Sequence, residues 1–171
     1  GGRLQALVIK GAPSSDTRNW EEIDLPSFPV KQSMEVEWID IDDPAAPNDD
    51  LRYKGFENGA ARFARGEGMF YGNGEIYFAC TNGGPKKLGQ IFRYRPSAFE
   101  GMSEESTKPG KLELFIESQD LELLKACDNL TVAPWGDIVI CEDDNESSTI
   151  VGNTAHLDNT MPSTEIPSIE T

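Results

Sequence analysis

Residues Glu67 to Phe78 and Asn129 to Ile140 align without a gap at a shift of about 62 positions, so one strand-turn-strand unit occurs twice in this chain. Polar residues recur where these strands begin and end: Glu67 matches Asn129, and Cys80 matches Glu142. A repeated unit this short cannot bury its apolar face alone and must pack against its own copies. Oxygen-bearing residues at equivalent strand ends suit a radial array of sheets that gathers ligands around a central axis. The expectation is an all-β fold, a β-propeller with a metal-lined channel.

The chain's charge narrows the function. With 15 Lys and Arg against 30 Asp and Glu, the net charge is −15 and the pI about 4.3, which argues against nucleic-acid binding, where clustered cations must neutralise phosphates. The same acidity suits calcium or simply solubility. An apolar fraction of 37% in 171 residues allows one modest core. No apolar run approaches the ~18 residues of a membrane span, and Gly1-Gly2-Arg3-Leu4 is not a signal peptide. The chain begins without Met, which suggests a piece of something longer. Cys80, Cys127 and Cys141 have no C-x-x-C spacing and read as buried free thiols, with Cys127 and Cys141 close together if a hairpin joins them.

Strand patterns occur at Leu4 to Ile9 and Met34 to Ile41, the second alternating apolar and acidic residues as a half-wet strand does. The acidic stretch Asp42 to Asp50 lacks the spacing of an EF-hand and reads as a loop. Phe56 to Arg65 reads as a helical turn or a loop. Four strands then follow, at Gly68 to Tyr71, Glu75 to Cys80, Gln90 to Tyr94 and Lys111 to Glu117, separated by Asn73-Gly74, by Asn82-Gly83-Gly84-Pro85 and by Pro96 to Gly110. Four antiparallel strands in succession make one propeller blade. A short helix capped by Ser118 is predicted from Glu117 to Ala126, and Asn129 to Ile140 opens the next blade. Ile76, Phe78, Ile91, Phe92, Leu114, Ile116, Ile138 and Ile140 are the expected core.

The expected domains are a partial propeller over residues 1–144, about one complete blade with parts of two neighbours, and a disordered tail over 145–171. That tail has no aromatic side chain, no Lys and no Arg, and shows no period.

Four motifs in order carry a family resemblance: Phe63-Ala64-Arg65-Gly66-Glu67-Gly68, Tyr77 to Gly84, Gly89 to Tyr94, and Cys127 to Asp143. Over residues 3–143 the chain resembles the PhoX-type alkaline phosphatases and their uncharacterised relatives. The resemblance implies a six-bladed propeller with calcium and iron at one end of the channel. It also implies hydrolysis of phosphate monoesters and export by a twin-arginine signal, hence a periplasmic or extracellular location. The family's iron-binding cysteine lies outside this chain, so none of the three cysteines inherits that role. A family member is expected to continue past Asp143 into further blades, whereas residues 145–171 look foreign to it.

By resemblance, Arg65 is assigned to phosphate binding, Glu67 to metal binding, and Glu142 with Asp143 to metal binding, with Asp128 and Asn129 as further metal candidates. The residue types suit the chemistry: carboxylates are hard oxygen ligands for calcium and ferric iron, and a guanidinium holds phosphate bidentately. Arg65 shares a side with Glu67 if the backbone there is extended. Each residue also has a plainer reading. Arg65 could be a surface residue paired with a carboxylate, Glu67 the start of a turn, Glu142 and Asp143 the start of a solvated tail, and Asp128 and Asn129 hairpin caps. The expected function is a piece of a metal-dependent phosphatase acting on small phosphate esters, with no protein partner. The alternatives are a non-catalytic, calcium-stabilised binding propeller or a truncated product without activity.

Overall fold

Asn73 and Gly74 both adopt positive φ, 55° and 81°, the geometry of a two-residue hairpin turn, and they join the first repeat's strands in register with Gly72 opposite Glu75. The computed structural model describes residues 2–122 and 124–142, with the backbone of 150–151. Its strands are β1 (Gln5–Ile9), β2 (Ser33–Asp40), β3 (Gly66–Gly72), β4 (Glu75–Cys80), β5 (Gln90–Arg95), β6 (Lys111–Glu117), β7 (Cys127–Val132), β8 (Ile138–Glu142) and β9 (Ile150–Val151). One α-helix, α1 (Leu51–Glu57), and a 3-10 turn at Ser103–Ser106 complete the described elements.

The sheet order β1-β2-β6-β5-β4-β3 contains the expected four-strand antiparallel blade, β3 to β6, extended at its outer side by β2 and β1. Strand β2 serves two neighbours. Ser33 to Glu35 pair with β6, and Val36 to Asp40 pair with β1, so the sheet curls. A second sheet, β7-β8-β9, starts the next blade. This is a partial β-propeller, as the repeat suggested.

The inner strands of the complete blade are buried on both faces, while β3 is mostly exposed. On one face Phe92 lies at the centre, stacked on Phe78 at 5.2 Å between ring centroids and edge-on to Phe63 at 5.0 Å, with Val36, Leu112 and Leu114 around it. On the other, Tyr77, Ala79, Ile91 and Phe115 pack against Cys127, Leu130, Ile138 and Ile140 of the second sheet. Of the expected core, Ile91, Phe92, Leu114, Ile138 and Ile140 are fully buried, while Ile76, Phe78 and Ile116 are half-buried at its margins. Tyr77 is fully buried because the second blade covers the face that alternation alone would leave wet.

Three expectations need correction. No helix forms between Glu117 and Ala126 among the described residues; β6 runs to Glu117, and the Ser118 hydroxyl donates to the Leu124 carbonyl instead of capping a helix. Leu124, 1% exposed, plugs the core between the sheets, and this draws the segment inward as a turn while Leu121 faces solvent. The helix near Phe56 begins earlier than expected, at Leu51, with Lys54 paired to Asp50 at 3.0 Å. Finally, Cys80 and Cys127 are buried, but Cys141 is exposed on the outer face of β8. The tail expected to be disordered lies outside the described residues except for Ile150–Val151, which pair with Ile140 and Cys141.

Candidate functional site

The two repeated hairpins break register at corresponding points. Pairing of β3 with β4 shifts between Gly66 and Met69, and pairing of β7 with β8 shifts between Cys127 and Asn129. A β-bulge inserts a residue, bends the strand and re-aims side chains, and such irregularities concentrate beside functional sites. Glu67 and Gly68 lie in the first bulge, and Asp128 lies in the second. The two bulges touch. A Cβ on Gly68 would sit 2.5 Å from Asn129 Oδ1 and 2.6 Å from Asn129 Cα, so only glycine lets β3 approach β7 this closely. Glu142 stands opposite Cys127, as Cys80 stands opposite Gly66, at the same ends of the two hairpins.

Thus Asp128 and Asn129 lie against Gly68, with Glu67 its neighbour in the chain and Glu142 paired opposite Cys127 on the adjoining strand. Their polar atoms are partly engaged locally. Glu67 Oε1 accepts from Arg65 Nε at 3.2 Å, Glu142 Oε1 accepts from the Lys125 backbone N–H at 2.6 Å, and Asn129 Oδ1 accepts from the Leu130 N–H at 2.8 Å. Asp143 lies outside the described residues. Among the described residues, no three His, Cys, Asp or Glu side chains gather closely enough to hold a metal ion.

Arg65 is not extended: its φ is +50°, a left-handed conformation unusual outside glycine. Its side chain nevertheless reaches Glu67 from the turn that feeds β3, and its carbonyl accepts from the Thr81 N–H at 3.0 Å. The guanidinium borders a cleft of about 700 Å³ between α1, the β1 edge and the loop from Ala60 to Ala64. Arg18, Arg52, Arg62 and Arg65 all line this cleft, and no Asp or Glu is among its lining residues. In a chain of net charge −15, that makes it a local cationic concavity.

Packing fixes two of these arginines. Asp16, its side chain 6% exposed, accepts from Arg18 Nη2 at 2.6 Å and Nε at 2.8 Å and lies 3.9 Å from Arg62 Nη1. Burial alone would raise the Asp16 pKa, but the Arg18 hydrogen bonds and both guanidinium charges outweigh it and hold the carboxyl below its ordinary value. Arg18 covers the Trp20 ring at 4.2 Å, and Arg62 covers the Phe56 ring at 3.9 Å. The Trp20 Nε1 donates to the Asn82 carbonyl at 2.7 Å, while the Asn82 side-chain oxygen is buried with no hydrogen-bond partner.

The family model for alkaline phosphatase PhoX matches residues 1–165. The chain belongs to that family. The match runs through Asp143 and well into the segment expected to be foreign, which corrects that expectation: the family relationship does not stop at Asp143. No curated protein and no solved structure matches the chain. Members of the PhoX family are generally metal-dependent and generally secreted or periplasmic. No helix among the described residues is long and apolar enough to cross a membrane.

Sequence reasoning found Arg65 and the bulge residues through the repeat and the motifs, but missed Asp16, Arg18, Arg62 and Asn82. No periodicity connects these four. They meet because residues 16 and 62 form a parallel bridge, a contact between two irregular segments. The only available signal was Asn82 within the glycine-rich turn after β4.

Proposed function

We propose that this chain forms the phosphate-gripping part of a phosphoric monoester hydrolase that acts outside the cytoplasm on small phosphate esters. The observation that carries the proposal is Arg65 itself, a cation at the junction of a carboxylate-free cleft and the paired bulges of two propeller blades, in a PhoX family member. Among the described residues its guanidinium is engaged only at Nε, by Glu67, which leaves both terminal nitrogens to take two phosphate oxygens side by side. Phosphoryl transfer is accelerated chiefly by positioning and by neutralising charge on the equatorial oxygens. Arg65 supplies that neutralisation, and Glu67 holds its guanidinium in place.

Glu67, Asp128, Asn129 and Glu142 are proposed as the oxygen groups this chain offers to calcium or iron, with Asp143 as a further candidate. Among the described residues no three His, Cys, Asp or Glu side chains gather closely, so further ligands would have to join these groups to hold a metal.

The test is hydrolysis of an aryl phosphate by the full-length protein, with metal supplied and then chelated. Turnover that chelation abolishes is the expected result. A folded protein that binds metal and hydrolyses no ester would overturn the hydrolase reading in favour of a binding propeller.

A further inference from the structure

Arg65 accounts for one anionic group, but the cleft offers more positive charge than one phosphate needs. Arg18 and Arg62 line it from a separate segment and share the single buried carboxylate of Asp16. Two cations on one anion leave a net positive unit. Its members are also held in place before any ligand arrives: Arg18 is bound through two nitrogens and stacked on Trp20, and Arg62 is stacked on Phe56. Such preorganisation reduces the ordering cost of binding. Among the described residues Arg18 Nη1 makes no hydrogen bond, and Arg62 lies 3.9 Å from Asp16, so donors remain for a ligand.

We propose that Arg18 and Arg62, held in place by Asp16, form a second anion subsite in the cleft. It selects phosphate monoesters whose alcohol portion carries another anionic group, a carboxylate or a second phosphate. The phosphate to be released lies at Arg65, and the second group lies at Arg62 and Arg18. This proposal rests on the phosphate-binding reading of Arg65. The arginines discriminate because a bound carboxylate forms charge-assisted bonds that a neutral ring cannot.

The discriminating pair is phenyl phosphate and 4-carboxyphenyl phosphate, which differ only in the second charge. Their binding to the full-length protein is measured by calorimetry at low salt, and their hydrolysis is followed in parallel. The carboxylated ester should bind about tenfold or more tightly, the scale expected of one charge-assisted contact. Arg62→Gln should weaken binding of 4-carboxyphenyl phosphate more than that of phenyl phosphate and so erase the preference, and Arg62→Lys, which keeps the charge, should retain part of it. A preference for the carboxylated ester without turnover supports the subsite and removes the hydrolase reading. Equal affinity for the two esters, with turnover intact, overturns the subsite and leaves that reading standing. Binding of neither ester overturns both.

Discussion

The two repeats share a bulged hairpin but differ in what surrounds it. The β3–β4 hairpin exposes β3 but joins, through β4, a sheet whose inner strands are buried on both faces, and its end residue Cys80 is fully enclosed. The β7–β8 hairpin buries one face against that sheet, and the corresponding residue, Glu142, is only half-buried. The common pattern builds the propeller, and the departures from it bring polar chemistry to the rim. Where the first copy needs a small apolar residue to close its core, the second has a carboxylate beside the bulge.

The largest effect on stability should come from the buried inner strands of the complete blade. Phe92→Ala removes a ring that touches three other aromatic rings, and an unfolding titration should show a loss of about 3–5 kcal/mol. Val132→Ala, in the half-covered strand β7, should cost only about 1 kcal/mol by the area it loses. Equal losses would break the distinction between the two repeats.

Next comes the contact that joins them. Gly68→Ala forces a Cβ into the backbone of Asp128 and Asn129 and should destabilise the protein by about 1–3 kcal/mol while parting the two bulges. Unchanged stability would mean that β3 and β7 are not held at this distance.

Acid should weaken the complete blade. Burial pushes the Glu113 pKa up, but Arg93 at 2.8 Å and Arg95 at 2.7 Å more than offset this and hold it below its ordinary value of 4.5. A depressed carboxyl pKa stabilises the fold above the ordinary value, and that contribution is lost as pH falls through the folded-state value. Glu113→Gln should therefore flatten the fall in melting temperature below pH 4.5. A variant as acid-sensitive as the wild type would assign the effect elsewhere.

The smallest effect concerns the thiols. Burial pushes the Cys80 thiol up to about 12 and the Cys127 thiol up to about 11, whereas Cys141 is exposed. A thiol reagent at neutral pH should modify Cys141 first and reach the other two only on unfolding. Early labelling of Cys127 would show that the two sheets part readily.

The blade was legible because it is written locally. The Asn73-Gly74 turn, the alternation through β4 and β5 and the repeat each specify structure within a few residues. The site was legible in part. Motif and repeat pointed to Arg65, Glu67, Asp128 and Asn129, but not to the bulges at which Gly68 meets Asp128 and Asn129. Asp16, Arg18 and Arg62 were illegible because their meeting depends on tertiary contact between loops. The helix expected after Glu117 failed for a related reason: burial of Leu124 between the sheets overrode a local capping signal.

The most direct test of the central claim is Arg65→Ala in the full-length protein, with kcat/KM for an aryl phosphate measured beside the melting temperature. Because Arg65 is exposed and its one ion pair is with Glu67 at the surface, the melting temperature should barely move. The loss of a phosphate-gripping guanidinium should lower kcat/KM by about 100-fold or more. Activity that survives the substitution, or falls only in step with stability, would contradict the account.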